Sequence, residues 1–269
     1  MKLRMNTGGA IGIAILIAWI FLAFFGSVIA PYSYSEMDME NQMSPPSKDH
    51  LFGTDNLGRD ILSRIIIGSK TVLGVGVMTA LFSTFLGILV GFTAGYFGGR
   101  VDEFIMRIMD IFMSVPALVL AMVVVGILEG TSIISLTIII TIVFTPRTAR
   151  VARSALLVWR DQEFVDAARI RGEGHLYIMY REILPNALGS IIVEATARIA
   201  YSIMTVAALG FLGIGLAPPT PDWGMMVSEN RKYIITAPWS VLWPSIAIAS
   251  LVIGVSLVSD YLKKRLLNE

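Results

Sequence analysis

Apolar residues in this chain come in long unbroken runs, without the alternation or the three-and-four spacing of a half-buried element. Stretches of about 20 apolar residues, the length that crosses a bilayer as a helix, fall at 9–30, 71–97, 104–128, 132–150, 187–215 and 241–262. The pattern predicts an all-α integral membrane protein with six transmembrane helices. Polar residues gather between the runs and leave two connections, 31–70 and 151–186, too long for simple turns, so each must have structure of its own. In the first, Ser44-Pro45-Pro46-Ser47 reads as a short rigid connector. Thr54 and Asp55 are expected to cap an interfacial helix whose apolar positions Ile61, Leu62, Ile65 and Ile66 lead into the second span. In the second, Asp161 is the expected cap, Glu163 the first-turn acid and Gly172 the stop of a short helix that places Phe164, Ala167, Ala168 and Arg171 on one face. Tyr177, Ile178 and Tyr180 begin a further segment, which Leu184-Pro185 is expected to break before the fifth span. Two short helices meeting at Gly172 would form a knob outside the membrane.

Composition agrees with a membrane protein. The 269 residues are 55% hydrophobic and 15% charged, against about 45–50% and about 25% in soluble domains. The first run follows Lys2 and Arg4 as a secretory signal would, but it is as long as a bilayer span. Pro31 also directly follows Ala30, the best small-residue cleavage position, so 1–30 is expected to be a retained anchor. A formal charge of +1 provides no global field for nucleic acid. With the N-terminus in the cytoplasm, fourteen of the 21 basic residues fall inside and six outside, and Arg198 lies within a span. That is the positive-inside orientation, with both termini cytoplasmic. Zero cysteines and two distant histidines, His50 and His175, remove disulfides, thiol catalysis and ordinary zinc sites. No Gly-Lys dipeptide occurs, so there is no Walker A loop, and His-Glu-x-x-His and Gly-x-Ser-x-Gly are likewise missing. No catalytic, metal or cofactor-binding residue is expected, and the chain does not read as an enzyme.

Inside the apolar runs a few residues stand out. Gly87, Gly91 and Gly95, four apart, let a helix backbone approach closely, either in this chain or in a partner. Pro116, Pro146 and Pro244 are candidate bends. Glu194 and Arg198, also four apart, are positioned to pair, either beside a translocation path or as a tie between helices. Asp110 is expected beside Arg107 at the inner end of the third span. Asp222, Trp223, Glu229, Asn230 and Arg231 read as an exposed outer segment, and Trp239 and Trp243 as membrane-belt residues.

The run Glu163-x-x-Asp166-Ala167-Ala168-x-x-x-Gly172, ending in Leu184-Pro185, resembles the cytoplasmic EAA loop in membrane subunits of binding-protein-dependent ABC importers. Asp166 stands where that family has Glu, and Glu182 where it has Ile. The segment 51–64, with Gly53, Thr54, Asp55, Gly58, Arg59 and Asp60, resembles the signature before the second span in the dipeptide/oligopeptide/nickel branch. So do Gly98-Gly99-Arg100-Val101-Asp102, Phe211-Leu212-Gly213-Ile214-Gly215 and Asp222-Trp223-Gly224. The resemblance covers most of the chain in matching order. It implies the type I importer permease fold, with 31–70 extracytoplasmic and 71–269 the permease domain, in the inner membrane of a prokaryote. It also implies an ATPase-coupling role for Glu163, Asp166, Ala167, Ala168, Gly172, Leu184 and Pro185. The implied partners are a homologous second permease, two ATP-binding subunits that would hold ATP and Mg, and an extracytoplasmic solute-binding protein. The 51–64 signature either helps to receive that protein or anchors the outer end of span two. Di- or oligopeptides are the implied cargo, with nickel or another small solute as the alternative. A stand-alone channel or ion-coupled carrier is the reading from outside this class.

Overall fold

The computed structural model describes residues 7–127 and 132–267; Lys2 and Arg4, and the end of the third expected span at 128, lie outside them. The described residues form an all-helical bundle. α1 (Thr7–Ile29), α2 (Ile61–Phe97), α5 (Ile133–Arg160), α7 (His175–Phe211) and α9 (Trp239–Leu266) are each long and apolar enough to cross a membrane. α3 (Gly99–Ser114) and α4 (Ala117–Ile127), bent by 88° at the break between them, are together long and apolar enough for a sixth crossing. Two short helices, α6 (Glu163–Ile170) and α8 (Trp223–Asn230), lie at opposite ends of the bundle. Apolar helices satisfy their own backbone polar groups, which is why runs of this composition fold this way in lipid.

Several boundaries differ from the sequence expectation for identifiable reasons. α2 begins at Ile61 instead of 71, so the boundary expected at 70 falls inside a helix. Its cap is Asp60, whose carboxylate accepts the Ser63 N–H at 2.8 Å, and not Thr54 or Asp55. At 37 residues, α2 is about 55 Å long against a hydrocarbon core of about 30 Å, so one end stands clear of the membrane. Pro116 breaks the third crossing outright. The residue before it, Val115, is extended at φ −91° and ψ 131°, the region a following proline imposes. α5 continues through buried Pro146 to Arg160, ten residues past the expected end.

The loop 151–186 is therefore almost wholly helical, and Leu184-Pro185 does not break it. A π turn at Ile178–Ile183 ends with the Leu184 N–H bonded to the Met179 carbonyl, five residues back. Pro185, which has no N–H, follows within the first turn of regular helix.

The glycine stripe has its neighbour within this chain. A Cβ on Gly91 would sit 2.2 Å from the Ala149 carbonyl oxygen, and one on Gly87 2.7 Å from Thr148 Cγ2. Only glycine allows α2 and α5 to pack this closely. Three apolar clusters surround the seam. Val75, Ile139 and Leu209 fill one between α2, α4, α5 and α7; Phe92, Leu156, Val165 and Ile183 fill another under α6; Ile65, Ile203, Trp223 and Leu251 fill the third beside α1 and α9.

Candidate functional site

Three polar regions interrupt the apolar bundle. The first is the knob at the α6 end. Asp161, expected to cap α6, instead closes α5 and pairs with Arg160 at 3.1 Å; Gln162 occupies the N-cap position but its side chain makes no capping bond to α6. Gly172 ends the helix at φ +79°, in a left-handed conformation suited to glycine. The Glu173 N–H returns to the Ala168 carbonyl and the Gly172 N–H to that of Arg169, a Schellman closure.

The face expected to carry Phe164, Ala167, Ala168 and Arg171 together is divided. Ala168 points inward, fully buried with Val165, Ile178 and Met179; Phe164 is half-buried; Ala167 and Arg171 face out. Glu163 and Asp166 are exposed, Asp166 paired with Arg169 at 2.8 Å, and Arg171 reaches Glu182 at 2.9 Å. Leu184 is half-buried and Pro185 exposed. The residues that sequence reasoning passed over are Ile170, 88% exposed at the end of α6, and Leu176, 68% exposed near the start of α7.

The second region lies midway along α5 and α7. Arg198 Nε meets Glu194 Oε1 at 2.8 Å as an ion pair without hydrogen-bond alignment. The buried guanidinium lies 4.7 Å from the Tyr201 ring centroid and 5.2 Å from that of Phe144. Arg198 reaches a cavity of about 470 Å³ lined also by Met113, Pro116, Phe144, Arg147 and Tyr201; Glu194 does not line it. Arg147, counted from sequence among the basic residues on the cytoplasmic side, stands here instead, midway along α5. The signal was the spacing of Arg147, Arg150 and Arg153 every third residue. Arg150 pairs with Asp110, which sequence had placed with Arg107, and Arg153 binds both carboxylate oxygens of Asp102; together they tie α3 to α5.

The third region is a clasp at the opposite end. Gly53 and Gly58 turn the chain at φ +75° and +72°. The buried Asp55 carboxylate accepts the backbone N–H of Leu57 at 2.9 Å and of Arg59 at 3.0 Å, and Arg59 Nε at 2.6 Å. Arg59, 2% exposed, extends to Glu229 of α8 at 2.6 Å. Arg64 donates to the Tyr34 carbonyl at 2.9 Å, and the Asn56 N–H to Asn230 Oδ1 at 3.2 Å. His50 Nδ1 lies 3.0 Å from Asp60 Oδ1. Thr54, Asp55, Arg59 and Asp60 are all buried.

The 222–231 segment, expected to be exposed, is largely buried as well. Trp223 is fully enclosed and donates to the Ile65 carbonyl at 3.1 Å. Asp222 caps α8 through the N–H groups of Gly224 and Met225 and accepts a third from Leu216. Burial holds its carboxyl above the usual carboxylate range, opposed by those three amides. The expected belt residues also turn inward: Trp239 donates to the Thr54 carbonyl at 3.3 Å, and Trp243 stacks on Phe52 at 4.1 Å.

A bundle of membrane-crossing helices with a charged cavity midway and an exposed helical knob defines a polytopic membrane protein built to contact other components. The family described as "Binding-protein-dependent transport system inner membrane component" matches residues 87–268, and the "N-terminal TM domain of oligopeptide transport permease C" matches residues 1–46. The chain is 38% identical over 265 residues to the dipeptide transport system permease protein DppC of Alkalihalophilus pseudofirmus, covering 98% of this chain and 87% of that protein. It is 34% identical over 266 residues to the oligopeptide transport system permease protein OppC of Bacillus subtilis, covering 99% and 87%. Its fold is similar to a chain of the inward-facing MetNI methionine ABC transporter, with a TM-score of 0.63, 19% identity, and coverage of 76% of this chain and 96% of that one. The chain belongs to the family of binding-protein-dependent transport system inner membrane components.

Proposed function

We propose that this chain is one of two homologous permease subunits of an ATP-driven importer of di- or oligopeptides in a prokaryotic inner membrane. The observation that carries the cargo reading is its near full-length likeness to a dipeptide and an oligopeptide permease. In this reading both termini and α6 face the cytoplasm. Two separate ATP-binding subunits supply hydrolysis, and an extracytoplasmic binding protein delivers the peptide at the clasp end. α6 is the coupling element. Exposed Ala167 and Ile170 seat against an ATP-binding subunit, Glu163 and Asp166 flank them, and buried Ala168 with Gly172, Leu184 and Pro185 holds the helix rigidly on α7. The rigidity has a physical purpose: motion at the ATPase shifts the pathway only through contacts that differ between the two states. The cavity lined by Arg147 and Arg198 lies on that pathway.

The test is uptake of a labelled dipeptide into proteoliposomes holding the assembled complex. Uptake that requires ATP and the binding protein, with cysteine crosslinks from position 170 to an ATP-binding subunit, is the expected result. Uptake by this chain alone would make it a carrier. ATP-dependent uptake of nickel without peptide would shift the cargo.

A further inference from the structure

On the outer surface of the bundle, an apolar cleft of about 580 Å³ runs between α1, α2, α7 and α9. Leu16, Ile20, Leu73, Val77 and Ile199 line it, and its one charged lining residue is Lys70. From Leu16 to Phe24 the cleft follows α1 for eight residues, about 12 Å along the helix axis. Lys70 immediately precedes the uncharged stretch of α2 from 71 to 97, which puts its ammonium at the mouth, where hydrocarbon gives way to headgroups. It is exposed and makes no ion pair or hydrogen bond among the described residues. In this it differs from Arg59, Arg64, Arg150, Arg153 and Arg198, each of which has a carboxylate within 4 Å. The floor has room as well: a Cβ built on Gly74 meets nothing within 4 Å.

We infer that this cleft is a binding site for one anionic phospholipid from the leaflet on the clasp side. An acyl chain fills the groove, and the headgroup phosphate pairs with Lys70. The cleft and the cation require each other in this assignment. A dry apolar groove in a lipid-facing wall loses van der Waals contacts unless a chain fills it. An unpaired ammonium at headgroup level selects a lipid that carries net negative charge. The seat joins α1 to the rest of the bundle, so a bound lipid would bridge the anchor helix and α2.

Native mass spectrometry of the full-length permease complex tests the assignment, with phosphatidylglycerol and phosphatidylcholine of identical chains as probes. The wild type should retain one phosphatidylglycerol in preference to phosphatidylcholine. Lys70→Gln should keep the fold and lose about fivefold of that preference, the scale of one lysine near a membrane surface. Gly74→Phe, which grows into open space, should exclude both lipids while the complex stays assembled. Unchanged preference in Lys70→Gln overturns the headgroup assignment, and full lipid retention in Gly74→Phe overturns the cleft. Photocrosslinks from position 77 that reach the second permease instead of lipid would assign the groove to protein and overturn both.

Discussion

The clasp and the knob cap opposite ends of one bundle, and they place their side chains by opposite rules. In the clasp, charge is turned inward: Asp55, Arg59, Asp60 and Arg64 are nearly sealed from solvent, and their partners come from three segments far apart in sequence. In the knob, charge lies outside in short-range exposed pairs, and a large apolar residue, Ile170, stands exposed at the end of α6. Buried ion pairs add little net stability against apolar packing, but they fail badly when one partner is removed. The clasp therefore holds one geometry. The exposed isoleucine of the knob instead fits the proposed coupling surface, which a separate subunit would cover.

The contrast can be broken at either end. The largest effect is expected from Asp55→Ala, which leaves Arg59 buried beside a lost carboxylate and three donors without an acceptor. It should cost about 3–5 kcal/mol, read as a lower melting temperature and poor recovery of the complex, with uptake lost in proportion. Overpacking comes next. Ala168→Leu inserts three carbons into a closed contact with Ile178 and Met179, at a cost of about 1–3 kcal/mol. The complex should still insert, while stimulated ATPase activity and uptake fall because α6 is displaced. Gly172→Ala forces a side chain into a left-handed turn with space around it, so the cost is backbone strain alone, about 1–2 kcal/mol. Thermal stability should drop by less than in Ala168→Leu. At the small end, Ile170→Asp should change stability by no more than about 0.5 kcal/mol and still reduce uptake at least tenfold, roughly the scale of an interface hot spot. If the first and last of these variants had the same stability, or if Ile170→Asp transported normally, the two ends would not differ as described.

Much of this was legible from local pattern. The membrane-crossing runs, the glycine stop at Gly172 and the Glu194–Arg198 pair depend on neighbours within a turn or two, where helical periodicity fixes the geometry. Failures occurred where a partner came from elsewhere in the chain. Asp222, Trp223 and Asn230 looked exposed because their segment is polar and short. They are buried because α8 folds back onto the start of α2. Arg147 counted as cytoplasmic because it falls near the end of the fourth apolar run, yet α5 continues to Arg160 and leaves it midway along the helix.

From sequence alone came the membrane as solvent, the number of crossings, and the resemblance that pointed to a transport family, because these rest on composition and on order along the chain. Only the packed structure decided that the glycine stripe serves α5 of the same chain, that Ala168 looks inward while Ile170 looks out, and that the 51–64 signature closes on α8. Each depends on which surfaces meet, and a periodic pattern marks a helix face without naming what lies against it.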